Sequence, residues 1–432
     1  MFNYSKNWEL SKIGECLMLI RGISFPKSAK NIDYKDGLIA CLRTKNVQKE
    51  VDWNDLWFVD SIFLKRKEQI IKKGDILISV SNSLKLLGKV SLIKSIPYVS
   101  TLGAFIVNLR VSELLNNKFI FYYLSSLDFK NNVKEKASTT TNISNISAGK
   151  LANIFLPIAP LNEQNRIVEK IEALFSDLDK ATEDLKKTQE QLKIYRQAVL
   201  KAAFEGKLTN GNRNWVYKKF KECLKFSQGI QIDGHLQDEK KEQNKIRFLR
   251  IIDFTQGNEL ARYINKPSSK YIVNKEDVSL VRYGATTGFV CSGLEGAIAN
   301  NLFKVIPDET ISKKYLLYFL NSPFFQQIIS IKVKGAAMPA ISFGLINDFV
   351  LPIPLLKEQS DIVREIESRL SVCDKVEKIV EQNLSKIEYL RQSILKKAFE
   401  GKLVSQDPND LPACELLKQI KIKKDKMSKN GK

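Results

Sequence analysis

The 432-residue sequence predicts an α+β protein in which two mixed α/β blocks alternate with two long helices, the helices pairing as an antiparallel coiled coil about a pseudo-two-fold axis. Three observations predict this. Residues 156–208 return without a gap as 351–403, every aligned pair 195 positions apart: Pro157 with Pro352, Gln164 with Gln359, Arg196 with Arg391, Phe204 with Phe399, Gly206 with Gly401. Each copy reads as one long amphipathic helix. The block before each copy carries short β-rich runs bounded by glycine. A duplicated segment presents two similar surfaces that pack on each other about a two-fold axis. Whatever each block binds, the chain is built to bind it twice.

Five segments follow: a first block (1–155), the first repeat helix (156–210), a second block (211–350), the second repeat helix (351–404) and a basic tail (405–432). In the first block GLIACLRTKNV, GDILISVS and GKVSLI read as strands and KFIFYYLSSLDF as a helix. In the second, IRFLRIIDF, DVSLVRYG and TGFVCSG read as strands and KYLLYFLNSPFFQQI as a helix. The blocks share a frame at a spacing of 207: Asn7-Trp8 matches Asn214-Trp215, Glu15-Cys16 matches Glu222-Cys223, Gly22 matches Gly229 and Leu42-Arg43 matches Leu249-Arg250. Further on the spacing drifts, and Gly88 pairs with Gly288.

The first repeat opens on Pro157 and Pro160, which hold it extended, and Asn162 suits an N-cap before Glu163. Apolar or small residues then alternate three and four apart: Ile171, Leu174, Leu178, Ala181, Leu185, Thr188, Leu192, Tyr195, Val199 and Ala202. That is the seam of a coiled coil. The second copy places Ile366, Arg369, Cys373, Val376, Val380, Asn383, Ile387, Leu390, Ile394 and Lys397 at the same phases. Thr188 and Asn383 interrupt the seam, either to fix register or as polar gaps beside a contact. Gly206 and Gly401 suit left-handed caps that end the helices. A helix from about residue 163 to 205 is on the order of 60 Å long at ~1.5 Å per residue.

Composition narrows the function. An apolar share of 44% is ordinary, no run approaches the ~20 apolar residues of a membrane helix, and the N-terminus lacks a basic-then-apolar leader. Six scattered cysteines without a CxxC pair read as reduced thiols, so a cytoplasmic protein is expected. Sixty-nine basic residues against 48 acidic give +21, which points to a polyanion, nucleic acid foremost. Catalytic signals are missing. His235 is the only histidine and lies in a polar loop; there is no GxxxxGK[ST] or GxGxxG phosphate loop and no Asn-Pro-Pro-Tyr-like tetrapeptide. Glu205 with Lys207 and Glu400 with Lys402 have a Glu-x-Lys spacing found in some nucleases, but they stand at helix ends and read as caps. By elimination the chain reads as a binder, with no catalytic residue and no metal site of its own.

Two unlike blocks, each followed by a long helix that opens LPIxxLxEQxxIV and closes IYRQAVLKAAFEGKL or LRQSILKKAFEGKL, resemble the DNA specificity subunit of Type I restriction-modification systems over 1–404. The resemblance implies that the blocks are target recognition domains, each reading half of a split, asymmetric site on double-stranded DNA. It implies that the helices are spacers that dock two methyltransferase subunits, with motor-nuclease subunits joining them. S-adenosylmethionine, ATP and Mg would then be held by those partners and no cofactor by this chain. Readers on a rigid spacer would sit about one turn (~10 bp) apart.

Arg43, Lys45 and Asn46 follow a strand in the first block, with Arg250 and Asp253 in the matching place; Arg reads guanine and Asn adenine in the major groove. Polar loops give further DNA candidates: Ser81 and Asn82, Thr286 and Thr287, and Ser138, Thr139, Thr140 and Thr141 against Lys334 in the second block. Each reads equally as ordinary loop surface. For subunit contact the candidates are the exposed faces around Glu163-Gln164 and Glu358-Gln359 and the helix ends at Phe204 and Phe399, though both phenylalanines read equally as core. Two other readings remain: a coiled-coil scaffold tethering two protein-binding domains, against which the charge argues, and a stand-alone DNA-modifying enzyme, against which the missing motifs argue.

Overall fold

A computed structural model describes residues 7–140, 143–209, 214–257, 259–333 and 340–430. The chain divides into two compact units, residues 1–183 with 383–432, and residues 184–382. Both long helices, Leu161–Phe204 and Leu356–Phe399, cross the division, so each unit holds one end of each helix.

In the first unit, Glu9–Lys12 pairs antiparallel with Phe155–Ile158, tying the start of the block to its exit. An antiparallel sheet runs in the order Leu17–Arg21, Ile106–Val111, Ile76–Ser79, Val90–Leu92. A second sheet sets Leu38–Leu42 between antiparallel Trp57–Asp60 and parallel Ser100–Leu102. Helices Asn117–Ser125 and Leu127–Lys136 follow, and the core runs from Ile76, Ile78 and Leu109 through Phe119 and Phe129 to Ile167 and Phe399.

The second unit repeats this plan. Val216–Lys219 pairs with Val350–Ile353. One sheet runs Leu224–Gln228, Leu302–Pro307, Val278–Val281, Val290–Cys291; the other runs Arg262–Asn265, Lys245–Leu249, Gly296–Ile298, Ile272–Val273. Its core joins Phe220, Phe303, Tyr315 and Phe319 to Phe204 and Ile362. The run KYLLYFLNSPFFQQI, expected as one helix, is two, Lys313–Leu320 and Pro323–Val333. Asn321 caps the first and Pro323 opens the second.

Within each unit the long helices pair antiparallel through the same ion pair. Arg391 holds Asp179 at 2.7 Å in the first unit; Arg196 holds Asp374 at 2.6 Å and Glu377 at 2.9 Å in the second. Both helices end as expected, with Gly206 at φ +68° and Gly401 at φ +70°. The two bonds of a Schellman cap are present each time: Gly206 N–H to Ala203 O and Lys207 N–H to Ala202 O, then Gly401 to Ala398 and Lys402 to Lys397.

Three expectations are corrected. The first helix begins at Leu161, just after Pro160, two residues before the expected Glu163. Neither seam interruption is a cross-helix polar layer: Asn383 is exposed, and the Thr188 hydroxyl donates to Asp184 O in its own turn. From Ile387 the buried stripe moves to Arg391, Leu395 and Ala398, leaving Leu390 and Lys397 exposed. The segment set apart as a basic tail carries a docked helix. Helix Ala413–Asn430 buries Ala413 and Ile420 in the first core, Lys424 donates to the carbonyls of Gly14 and Leu17 at 2.8 and 3.2 Å, and Asp410 holds Arg166 at 2.6 Å. Its stripe Ala413, Leu416, Leu417, Ile420 has helical spacing and outweighs its lysines.

A buried aspartate ends a turn in each block. Asp75 accepts from the Lys72 N–H and pairs with Arg110 at 2.7 Å; Asp277 accepts from Asn274 N–H and pairs with Lys304 at 2.7 Å and Lys313 at 2.6 Å. Burial alone would raise the Asp277 carboxyl, but the hydrogen bonds from Lys304 and Lys313 outweigh it and bring its pKa to about 2. A folded pKa below the unfolded one contributes stability that is full above about pH 4 and fades as pH falls toward 2. Asp277→Asn is therefore expected to weaken the Val278–Val281 strand by about 2 kcal/mol at neutral pH. The check is hydrogen exchange of those strand amides, roughly thirty-fold faster at pH 7, with the gap from wild type closing near pH 2.

Candidate nucleic-acid interface

The segment after the third strand of each block folds back through one capping side chain. In LRTKN the Arg43 N–H donates to Asn46 Oδ1 at 2.8 Å; in LRIID the Arg250 N–H donates to Asp253 Oδ2 at 2.9 Å. Asn46 is fully buried and donates to Asp52 O and Asn54 O, and Asp253 is buried against Arg247 at 3.2 Å and Arg250 at 3.1 Å. The expectation that these two residues read bases is corrected: their polar atoms hold the loop and face inward. Arg43 is engaged as well, lying 4.2 Å from the Trp57 ring centroid opposite Lys30 at 3.7 Å, and it shares Asp55 with Lys45. Trp57, a cation platform at a strand start, was missed in sequence, where its neighbours include Asp55 and Asp60 and its cations Lys30 and Arg43 lie far upstream.

Two polar loops far apart in sequence do meet. Ser144–Asn145 pairs antiparallel with both Ser138–Thr139 and Ser81–Asn82, making a small three-stranded sheet. The Thr139 and Ser144 hydroxyls lie 3.0 Å apart, Thr140 Oγ1 donates to Ile143 O, and Lys150 Nζ donates to Ser138 Oγ at 3.1 Å. Ser138, Thr139, Thr140 and Asn145 are exposed, so the sheet presents hydroxyls, amides and one ammonium together. Thr141 lies outside the described residues. In the second unit the counterpart, among the described residues, is a bridge from Tyr283 to Ala340. Thr286 is exposed beside it, and Thr287 Oγ1 donates to Gly284 O at 2.6 Å. Lys334 lies outside the described residues. Asn145, Lys150 and Tyr283 join these sites through pairing that sequence did not reveal.

The residues expected to face partner subunits are mostly internal. Gln164 and Gln359 are fully buried and make the same clasp. Gln164 accepts from Asn116 N–H at 3.0 Å and donates to Ala159 O; Gln359 accepts from Ser312 N–H at 2.8 Å and donates to Pro354 O. Each locks its long helix to the N-terminus of the block's helix. Glu163 is buried too, and burial raises its carboxyl above the usual range against a hydrogen bond from Trp8; Glu358 is half-buried and accepts from Trp215 Nε1 at 3.1 Å. Phe399 packs edge-on to Phe119 and Tyr123, both at 5.2 Å, and Phe204 to Tyr315 at 5.2 Å and Phe319 at 5.1 Å. The exposed-face reading of Glu163-Gln164 and Gln359 is thus corrected, and both phenylalanines are core.

Burial pushes the Cys41 and Cys291 thiols up to about 12 and Cys223 to about 11, and all six cysteines are free. Among the described residues no group of three or more His, Cys, Asp or Glu is placed to hold a metal ion, and no helix is long and apolar enough to cross a membrane.

The profile of the Type I restriction modification DNA specificity domain matches residues 5–193 and again 212–389. The chain is 30% identical over 460 residues to the Type I restriction enzyme EcoKI specificity subunit of Escherichia coli (strain K12), covering 97% of this chain and 96% of that one. It is 27% identical over 452 residues to the StySPI specificity subunit of Salmonella potsdam, with the same coverage. Its fold is similar to a solved chain described under "complex assembly and conformational transition of the type I R-M system", with a TM-score of 0.73 at 16% identity, covering 93% of this chain and all of that one. It is also similar to the HsdS subunit from Thermoanaerobacter tengcongensis, with a TM-score of 0.56 at 18% identity over 92% and 98% of the two chains. A profile matched once by each block with its helix, and a relative matched along nearly its whole length, show that the chain belongs to the family of Type I restriction-modification DNA specificity subunits.

Proposed function

We propose that this chain supplies sequence recognition alone, each block reading one half of a split, asymmetric site on double-stranded DNA. Adenine methylation and DNA cleavage then belong to partners: two methyltransferase subunits and the motor-nuclease subunits that join them. S-adenosylmethionine, ATP and Mg are bound on those partners. The observation that carries this reading is what is duplicated and what is not. The frame repeats residue for residue in the Gln164 and Gln359 clasps, the Gly206 and Gly401 caps and the pairing of Arg196 with Asp374 and Arg391 with Asp179. The loops differ among the described residues: a hydroxyl-rich three-stranded sheet in one block answers one bridge in the other. One frame with unlike surfaces suits one kind of partner bound twice and two different half-sites.

Exchanging residues 1–155 for the first block of another family member tests this. Co-expressed with the methyltransferase subunit, the chimera is expected to change one half of the methylated motif, mapped genome-wide by single-molecule sequencing, and to leave the other half and the gap intact. A change in both halves would show that the blocks do not read independently.

A further inference from the structure

Several basic residues of the first unit pair with acids of the same unit. Arg43 and Lys45 hold Asp55, Lys49 holds Asp179, Lys94 holds Glu50, Arg110 holds Asp75 and Lys118 holds Glu172. Four of the cations outside these pairs lie together: Arg21 at the end of a strand, and Lys65, Arg66 and Lys67 in the turn leading to Lys67–Gln69. All four are exposed, and Glu68 is the one acid among the turn residues. They are also held together. Gln69 is buried, and its single carboxamide accepts from Lys65 N–H at 2.8 Å and Arg66 N–H at 3.2 Å while donating to Arg21 O at 3.0 Å. A fixed backbone carrying four uncompensated cations is an organised anion-binding surface and not a random solvated run.

In the second block the matching turn packs on the matching strand, with Ser227 Oγ donating to Lys270 O at 3.2 Å. There Gln228 stands for Arg21, Pro267 for Lys65, Ser268 for Arg66 and Ser269 for Lys67. The frame is kept and none of the four positions is charged, although exposed Lys266 and Lys270 stand at either end of the turn. We propose that Arg21, Lys65, Arg66 and Lys67, held in place by Gln69, form a phosphate clamp on double-stranded DNA that grips the first block's half of the site without regard to sequence. This rests on the reading of each block as a DNA reader. Phosphate is favoured over an acidic protein because lysine is depleted at protein–protein interfaces, whereas clustered Lys and Arg suit a polyphosphate backbone.

The test uses the full chain co-purified with its methyltransferase subunits, with Lys65→Gln, Arg66→Gln and Lys67→Gln combined, and duplex binding followed by fluorescence anisotropy across a salt series. Three lost phosphate contacts lower the slope of log affinity against log salt by about 2–3. Affinity at physiological salt is expected to fall at least roughly tenfold, with the methylated motif unchanged. A slope equal to wild type overturns the clamp. A variant that keeps the slope but sheds its partner subunits on gel filtration also overturns it, in favour of an acidic protein surface. A wild-type assembly that binds DNA without salt dependence or motif overturns the underlying reading instead, and is told apart by needing no variant.

Discussion

Truncating Phe399 to alanine is expected to destabilise the first unit by about 3–5 kcal/mol, and Phe204→Ala the second by a similar amount. Each ring is about 5% exposed and meets two aromatic partners on its block's helix, Phe119 with Tyr123 or Tyr315 with Phe319. Such edge-on pairs add roughly 0.5–1.5 kcal/mol each beyond the area they bury. The cavity would open where the end of one long helix meets the block, next to the clasp of Gln164 or Gln359 that locks the start of the other. A block loosened there no longer holds its reading surface at a fixed place on the spacer. Thermal unfolding should show the affected unit melting earlier, while Phe→Leu at either site keeps most of the stability. In cells, methylation of the gapped motif should fall before any loss of binding to single half-sites. Wild-type melting of both alanine variants would mean that the rings are not the anchors.

What the sequence made legible was repetition and local pattern. Helix ends were readable because Gly206 and Gly401 carry their signal within one turn of chain, and strands because apolar runs stop at glycine. The shared frame was readable from pairs such as Gly88 and Gly288, both at positive φ and both packed under the same helix, against Val133 and Ile329. Illegible features depend on partners distant in sequence. Gln164 looked exposed because a polar residue in a helix's first turn usually is, yet its partner Asn116 lies 48 residues upstream. Asn46 and Asp253 have the residue types of base readers, but at the third position after an arginine they are more useful as caps. The C-terminal helix was misread because its lysines dominate composition while four small and apolar positions decide its docking. The seam moved after Asn383 because the helix end there packs on a globular block as well as on a partner helix. The small sheet that joins Ser81–Asn82 to Ser138–Thr139 left no trace in pattern, since two-residue strands have no periodicity to read.

Gly22→Ala should open the first unit and spare the second, and Gly229→Ala should do the reverse. Neither glycine has a positive φ, so the requirement is space and not backbone freedom. Here the chain leaves one sheet for the other: Ile23 N–H donates to Leu102 O at 2.7 Å, and Ile230 N–H to Ile298 O at 2.9 Å. A methyl on Gly22 would stand 2.1 Å from Gly103 O and 2.4 Å from Leu102 O; on Gly229 it would stand 2.2 Å from Ala299 O and 2.4 Å from Ile298 O. Every clashing atom is backbone within a sheet, so no rotamer change relieves it, and the crossing strands must part. Losing those bonds at a buried crossing puts the cost beyond about 4 kcal/mol, in the range that marks a specific lesion. Hydrogen exchange resolves the two units: Leu38–Leu42 amides should lose protection in Gly22→Ala while Lys245–Leu249 keeps it. On the proposed reading, in which each block reads its own half-site, the methylome should follow the same division, one half of the motif relaxing in each variant. Native protection at both crossings in either variant would show that the sheets can separate at little cost, and the crossing would no longer explain why these positions are glycine.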